Sequence, residues 1–209
     1  MTESGPSQKR APLIGLIGPI GAGKSTVTGW LAERGVVVID ADRLTRELMA
    51  PGTPVTAAVF ARFGEQFRLP DGSLDRSALG RLVFSDPAQL AALESIVHPA
   101  IDALLERVVR EAGRKGPRAI ALEAVKLVEA GHVANCDEVW LITCKPATQL
   151  ARLTGRGMDE SDARQRIAAQ EASLPLWRAA ATRVVDTDGP ADAVERAVDA
   201  ALNGVAPVG

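Results

Sequence analysis

The chain has no tyrosine, and aromatic residues make up only 3% of its 209 positions. A protein that binds single-stranded nucleic acid needs aromatic faces for base stacking, so that class is disfavoured at once. The formal net charge is −2, which leaves no positive surplus to neutralise a polyanion, and no nucleic-acid partner is expected. Cysteine is almost as scarce. Cys136 and Cys144 stand eight positions apart, and with only two histidines in the whole chain they form no zinc framework. Free thiols in a reducing compartment are the expectation. No apolar run has the length of a membrane span, so no membrane partner is expected. The N-terminal segment, residues 1–12, lacks the apolar core of a signal peptide and is expected to be a disordered lead-in. These absences together point to a cytoplasmic globular protein.

What is present suffices for a full core. The apolar fraction is 46%, and the length suits one domain, or a core with a sizeable insertion. Nothing in the sequence fixes the oligomeric state; a monomer is favoured.

One stretch organises the rest. Leu13-Ile14-Gly15-Leu16-Ile17 is an apolar run long enough for a buried strand, and Gly18-Pro19-Ile20-Gly21-Ala22-Gly23-Lys24-Ser25 follows it directly. The second segment fits G-x-x-x-x-G-K-[ST], the pattern of a phosphate-binding loop. Its spacing has a chemical reason. A triphosphate requires several backbone N–H groups turned toward one anion, and glycines permit that concave path. Lys24 supplies a mobile positive charge and Ser25 a hydroxyl for Mg²⁺. The helix that begins here aims its positive end at the phosphates. A glycine turn between strand and helix is the plain alternative. The apolar strand before and the amphipathic Val27-Trp30-Leu31 segment after it, ending at Gly35, favour the phosphate site.

Further along, Val36-Val37-Val38-Ile39 reads as a buried parallel strand ending in Asp40-Ala41-Asp42. In open α/β sheets the chemistry gathers at carboxyl ends of strands, which makes Asp42 a candidate for chemistry as well as for capping the next helix, Arg43 to Met49. Residues 43–116 are then helical in pattern, too long for a simple crossover, and suit an insertion that covers an acceptor substrate. Turns fall at Gly64 and at Pro70-Asp71-Gly72. Helices start at Asp75 and at Asp86-Pro87, and Ile101, Leu104, Leu105, Val108 and Ala112 mark an amphipathic helix. Arg46, Arg76 and Arg81 offer charge for a second anionic substrate, although exposed arginines ordinarily only face water. The third strand, Arg118 to Leu122, leads into Glu123, an acid placed to hold Mg²⁺ directly or through water. The fourth strand is Glu138 to Thr143, and Pro146 opens the next helix. Arg152, Arg156, Arg164 and Arg166 cluster around Gly155-Arg156-Gly157, as in a lid (about 152–170) that brings guanidinium groups to a triphosphate and excludes water. Arg183 to Asp186 is the last strand, and a terminal helix ends at Asn203-Gly204. The expected fold is therefore α/β: a three-layer parallel sheet of about five strands, spanning 13–204, with core 13–42 and 117–204.

With these landmarks placed, the chain resembles the dephospho-CoA kinases. The resemblance rests on an ordered set: GPIGAGKST at 18–26, VIDAD at 38–42, Arg46 followed by PGTP, FG at 63–64, DGSLDRSAL into LVF over 71–84, HP at 98–99 and VVDTDG at 184–189. It covers nearly the whole chain from Leu13 to Leu202. It implies a P-loop NTPase fold and transfer of the γ-phosphoryl of ATP to the 3′-hydroxyl of dephospho-CoA. By position it implies Asp42 as the base and Lys24 as its catalytic partner. Gly21, Ala22, Gly23, Lys24, Ser25 and Thr26 become the ATP phosphate site. Arg152 and Arg156 become lid arginines, and Asp188 and Gly189 fall in the adenine loop. Arg46, Arg76, His98 and Glu123 join Asp42 at the acceptor. Mg²⁺ is implied on Ser25, with Asp42 or Glu123 reaching it through water. Two positions depart from the family pattern. Val125 to Glu129 replaces a PLLFE-like run, with Lys126 at an apolar position. Thr187 stands where asparagine is frequent. A nucleoside monophosphate kinase on the same fold is the near alternative. A GTPase-type switch lacks its N-K-x-D tetrapeptide here, and a binding-only protein would not need Lys24, Ser25 and Asp42 together.

Overall fold

The computed structural model describes residues 10–206 and 208. Most of the expected lead-in, residues 1–9, lies outside them. Arg10 is already fixed: its guanidinium forms two hydrogen bonds to the Asp137 carboxylate at 2.7 and 2.6 Å, and Leu13 N donates to the same group at 2.7 Å. The end of the expected lead-in, Arg10 to Pro12, is thus tied to the sheet.

Five strands form one all-parallel sheet: β1 (Leu13–Ile17), β2 (Val36–Asp40), β3 (Ala119–Glu123), β4 (Glu138–Thr143) and β5 (Arg183–Asp186), in the order β2-β3-β1-β4-β5. Their continuous apolar character follows from burial on both faces. Alternation sorts the side chains. Ile14, Leu16, Ala119, Ala121, Trp140 and Ile142 enter one core with Val27 and Leu31 of α1 (Lys24–Glu33) and Val198, Ala201 and Leu202 of α9 (Ala191–Asn203). On the opposite face Gly15 lies against Leu127 and Cys136. Three further helices follow β4: α6 (Pro146–Thr154), α7 (Glu160–Glu171), and α8 (Leu174–Ala180) with its buried Trp177, whose Nε1–H donates to Glu129 Oε1 at 3.0 Å. Trp140 is fully buried, and its Nε1–H donates to Glu138 Oε2 at 2.7 Å, so its polar handle is satisfied.

The chain divides into two compact units. One holds the sheet, running up to Asp40 and from Ala112 on; the other is Ala41–Glu111. The main elements of the second are helices, α2 (Ala41–Leu48), α3 (Pro54–Phe63), α4 (Arg76–Ser85) and most of α5 (Pro87–Gly113), with one antiparallel bridge between Arg68 and Leu74. Its own core is built from Val59, Phe60, Phe63, Leu79, Val83 and Val97. Local sequence sets the helix starts. Thr53 Oγ1 accepts from Thr56 N, with Pro54 at the first helical position. Asp75 Oδ1 accepts from Ala78 N at 2.8 Å.

Three local features go beyond the pattern read from the sequence. The helix after β2 begins at Ala41, with no intervening loop, so Asp42 sits inside its first turn. The start at Pro87 and the amphipathic run to Ala112 belong to one 27-residue helix that continues through Pro99. After Glu123 the chain makes hydrogen-bonded turns, Ala130 N to Lys126 O and Gly131 N to Val128 O, rather than a helix, and Lys126 is exposed.

Candidate active site

All five strands point their carboxyl ends the same way, so the loops that follow β1, β3, β4 and β5 share one edge of the sheet. The phosphate loop leaves β1 at the centre of that edge. Gly18 has φ +147°, and a Cβ there would stand 2.1 Å from the carbonyl oxygen of Ile142, so only glycine fits. Gly23, with φ +91°, is the N-cap of α1 and offers no side-chain acceptor. No acid occupies the first turn of that helix either, which leaves its positive end suited to an anion. Lys24 Nζ donates to Gly18 O at 2.7 Å and lies 3.4 Å from Pro19 O. Ser25 and Thr26 are exposed on the first turn.

A loop that turns its N–H groups inward turns carbonyls outward, and these need donors. Side chains from α6 and from the segment after β5 supply them. Gln149 Nε2 donates to Ile20 O at 2.8 Å, Arg152 Nη1 to Gly21 O at 3.3 Å, and Thr187 Oγ1 to Ala22 O at 2.7 Å. Gln170 of α7 accepts from Ile20 N at 2.7 Å. Cys144 Sγ reaches Gly21 O at 3.8 Å, and burial pushes its thiol above the ordinary value.

A cleft of about 150 Å³ opens beside the loop, lined by Gly23 and Thr26, by Val27 and Trp30 of α1, by Arg152 and Arg156, and by Thr187, Gly189, Ala191 and Val194. The structure thus brings together the phosphate loop, both expected lid arginines and Gly189. Asp188 does not line the cleft. Its carboxylate turns to the start of α6, where it accepts from Lys145 N at 3.1 Å. The Thr148 hydroxyl, followed by Lys145, holds it below the usual carboxylate range. Glu123 ends β3, in register with Leu16 of β1 and Asp40 of β2. Val27, Trp30, Ala191 and Val194 line the cleft without having been marked as site residues, and Thr187, noted in the adenine loop only as a departure from the family pattern, lines it too. A tryptophan at helical spacing reads as core, and a threonine in a turn gives no local signal.

The remaining candidates belong to the helical unit. Asp42 is half-buried in the first turn of α2, and Arg46 is exposed in its last turn. Arg76 Nη2 donates to Arg46 O at 3.3 Å, which brings these two arginines side by side. His98 is exposed on α5, immediately before Pro99.

A parallel sheet with a central strand, a Gly-Lys-Ser loop at its carboxyl end, and two arginines on the same cleft defines a P-loop NTPase fold of the small-molecule kinase type. The family model of dephospho-CoA kinase matches residues 12–193. A dephospho-CoA kinase from Symbiobacterium thermophilum is 45% identical over 190 residues, covering 90% of this chain and 79% of that one. Among solved structures, TT1252 of Thermus thermophilus superposes with a TM-score of 0.75 at 32% identity, over 95% of this chain and 100% of that one. The dephospho-CoA kinase of Campylobacter jejuni shares the fold, with a TM-score of 0.66 at 19% identity over 91% of this chain and 95% of its own. The chain belongs to the dephospho-CoA kinase family.

Proposed function

We propose that this protein transfers the γ-phosphoryl group of ATP to the 3′-hydroxyl of dephospho-CoA, giving CoA and ADP, the last step of coenzyme A biosynthesis. The observation that carries the reading is the cleft shared by the phosphate loop and the guanidinium groups of Arg152 and Arg156. Phosphoryl transfer asks the protein mainly for alignment and for charge stabilisation. Lys24 and the first turn of α1 hold the β- and γ-phosphates. Arg152 and Arg156 offset the charge that spreads over the transferring group. Gly189 and the chain beside it receive the adenine. Asp42 orients the acceptor hydroxyl and takes its proton, and Arg46, Arg76, His98 and Glu123 bind the acceptor.

The oxygen donors available suit Mg²⁺: the exposed Ser25 hydroxyl on the first turn of α1, and the Glu123 carboxylate at the end of β3. Among the described residues no group of three or more His, Cys, Asp or Glu side chains is arranged to hold a metal, which suits an ion that shares its shell with substrate phosphates. Ser25 would bind it, with Glu123 or Asp42 through water. When bound, Mg²⁺ neutralises charge between the phosphates. Among the described residues no helix is long and apolar enough to cross a membrane. We place the enzyme in the cytoplasm, acting as a monomer.

The test is ADP formation from ATP and Mg²⁺ with 3′-dephospho-CoA, run beside CMP, AMP and no acceptor. Stimulation by dephospho-CoA alone is expected. Stimulation by a monophosphate would move the acceptor assignment, and stimulation by none would leave only a nucleotide site.

A further inference from the structure

We propose that Thr187 is a positioning residue for phosphoryl transfer, its hydroxyl coupling the guanidinium of Arg152 to the outer rim of the phosphate loop. This rests on the kinase reading above and adds to it the residue that aims one of the two arginine charges.

Thr187 is 4% exposed, as deeply buried as Gln149 of α6 at 5%, the other polar side chain that donates to the loop from burial. Its hydroxyl carries one proton. The nearest acceptor is Ala22 O at 2.7 Å, with Thr143 O farther away at 3.2 Å. With the proton on Ala22 O, the oxygen's lone pairs accept from Arg152 Nη1 at 2.9 Å. The carbonyl of the same residue accepts from Arg152 Nη2 at 2.6 Å. Both arms of one guanidinium are therefore held by one residue, and Nη1 also meets Gly21 O at 3.3 Å. Thr187 is anchored in turn, because its N–H donates to Thr143 O at 2.8 Å at the end of β4.

All the oxygens in this set are neutral. The arrangement fixes where the charge of Arg152 points without spending it on a carboxylate. That charge faces a cleft whose other wall is Gly23 and Thr26 of the phosphate loop. A charge oriented before the anion arrives requires little reorganisation as the reaction proceeds. Removal of the hydroxyl breaks two links at once: Ala22 O loses its donor, and Arg152 Nη1 loses its nearer acceptor and keeps only Gly21 O at 3.3 Å. The backbone bond to Thr143 and the carbonyl bond to Arg152 remain, so the loop keeps its path while the guanidinium gains freedom.

The experiment compares wild type, T187V, T187S, R152A and T187V/R152A in acceptor-dependent ADP formation, with ATP affinity measured separately. Valine matches the shape of threonine and removes only the hydroxyl. T187V is expected to lower kcat about ten- to hundredfold, as for loss of a hydrogen bond to a charged group, while KM for dephospho-CoA changes less than about twofold. T187S is expected to restore kcat to within about threefold of wild type, and in the R152A background T187V should cost less than about threefold. T187A carries the same test if the valine methyl is not accommodated beside Ala22 O. Wild-type turnover in T187V, the same penalty with and without Arg152, or no recovery with serine would each overturn the coupling. Absence of acceptor-dependent turnover in the wild type would instead overturn the kinase reading, before any variant is compared.

Discussion

The ammonium of Lys24 donates to the carbonyl oxygen of Gly18 at 2.7 Å, six residues back along the same loop. The lysine that is to hold phosphate thus folds across the loop, toward a carbonyl and not away from it. On the proposed function, ATP binding would exchange that contact for the β- and γ-phosphates. Lys24→Ala removes both the cation and the strap across the loop. Nucleotide affinity is expected to fall at least about tenfold, and kcat by about 10²–10³. Equilibrium titration with ATP and initial-rate measurements separate the two effects. Unchanged affinity would mean that the N–H groups alone carry phosphate binding.

Two glycines close in sequence make opposite predictions. Gly18→Ala would place a Cβ 2.1 Å from the backbone oxygen of Ile142 in β4 at φ +147°, where the atom in the way is main chain and not the end of a flexible side chain. A loss of at least about 2–3 kcal/mol is expected in urea unfolding. Gly29 lies in mid α1, and a Cβ there meets nothing within 4 Å. Gly29→Ala is expected to stabilise by about 0.5–1 kcal/mol. If both variants unfold alike, the close approach of β4 to the loop is not what requires Gly18.

The link between α1 and α9 titrates. Arg34 donates from Nη2 to Glu195 Oε1 at 2.7 Å and to Asp199 Oδ2 at 3.0 Å, and its Nε also bonds Asp199. The Arg34 hydrogen bond holds the Asp199 carboxyl below its ordinary value. A carboxylate depressed in the folded state stabilises above its unfolded value, about pH 4, and that contribution is lost as pH falls through the folded value. Asp199→Asn should therefore lower the thermal midpoint at pH 7, and the gap from wild type should close toward pH 3. A gap that persists at pH 3 would assign the effect to packing and not to charge.

Much of this was legible in the chain because the signals were local. The β-branched runs, Asp75 as a helix start, and the Gly-Lys-Ser loop all act within a few residues. They gave the parallel sheet and the phosphate site with boundaries close to those observed. Long-range contacts were not legible. Thr187 bonds Ala22 and Arg152, which lie 165 and 35 positions away, and no periodicity encodes that. The family resemblance placed Asp188 in the adenine loop beside Gly189, yet Thr148 and Lys145 draw its carboxylate toward α6. Pro99 reads as a breaker, since proline removes one donor and crowds the preceding turn. Its helix nevertheless continues, with Val97 buried in the helical unit's core and Ala100 and Ile101 packed against it, so tertiary burial offsets the local cost.

Asp42 gives the last prediction, and the local structure makes it sharp. The helix begins at Ala41 directly after β2, so the carboxylate of Asp42 is carried by a first turn and not by a loose loop. Asn is nearly isosteric with Asp, and its substitution keeps that turn while removing charge and basicity. If Asp42 aligns the acceptor hydroxyl and receives its proton, Asp42→Asn should depress kcat by about 10²–10⁴. ATP affinity should stay within about twofold, because the proposed phosphate site is Lys24 and the loop. The dephospho-CoA concentration dependence then decides the kind of role. A fall in kcat with little change in KM marks an interaction made in the transition state, whereas a rise in KM alone marks simple acceptor binding. Wild-type turnover in the Asn variant would remove Asp42 from the chemistry and leave it as a helix-start acid that complements the dipole of α2.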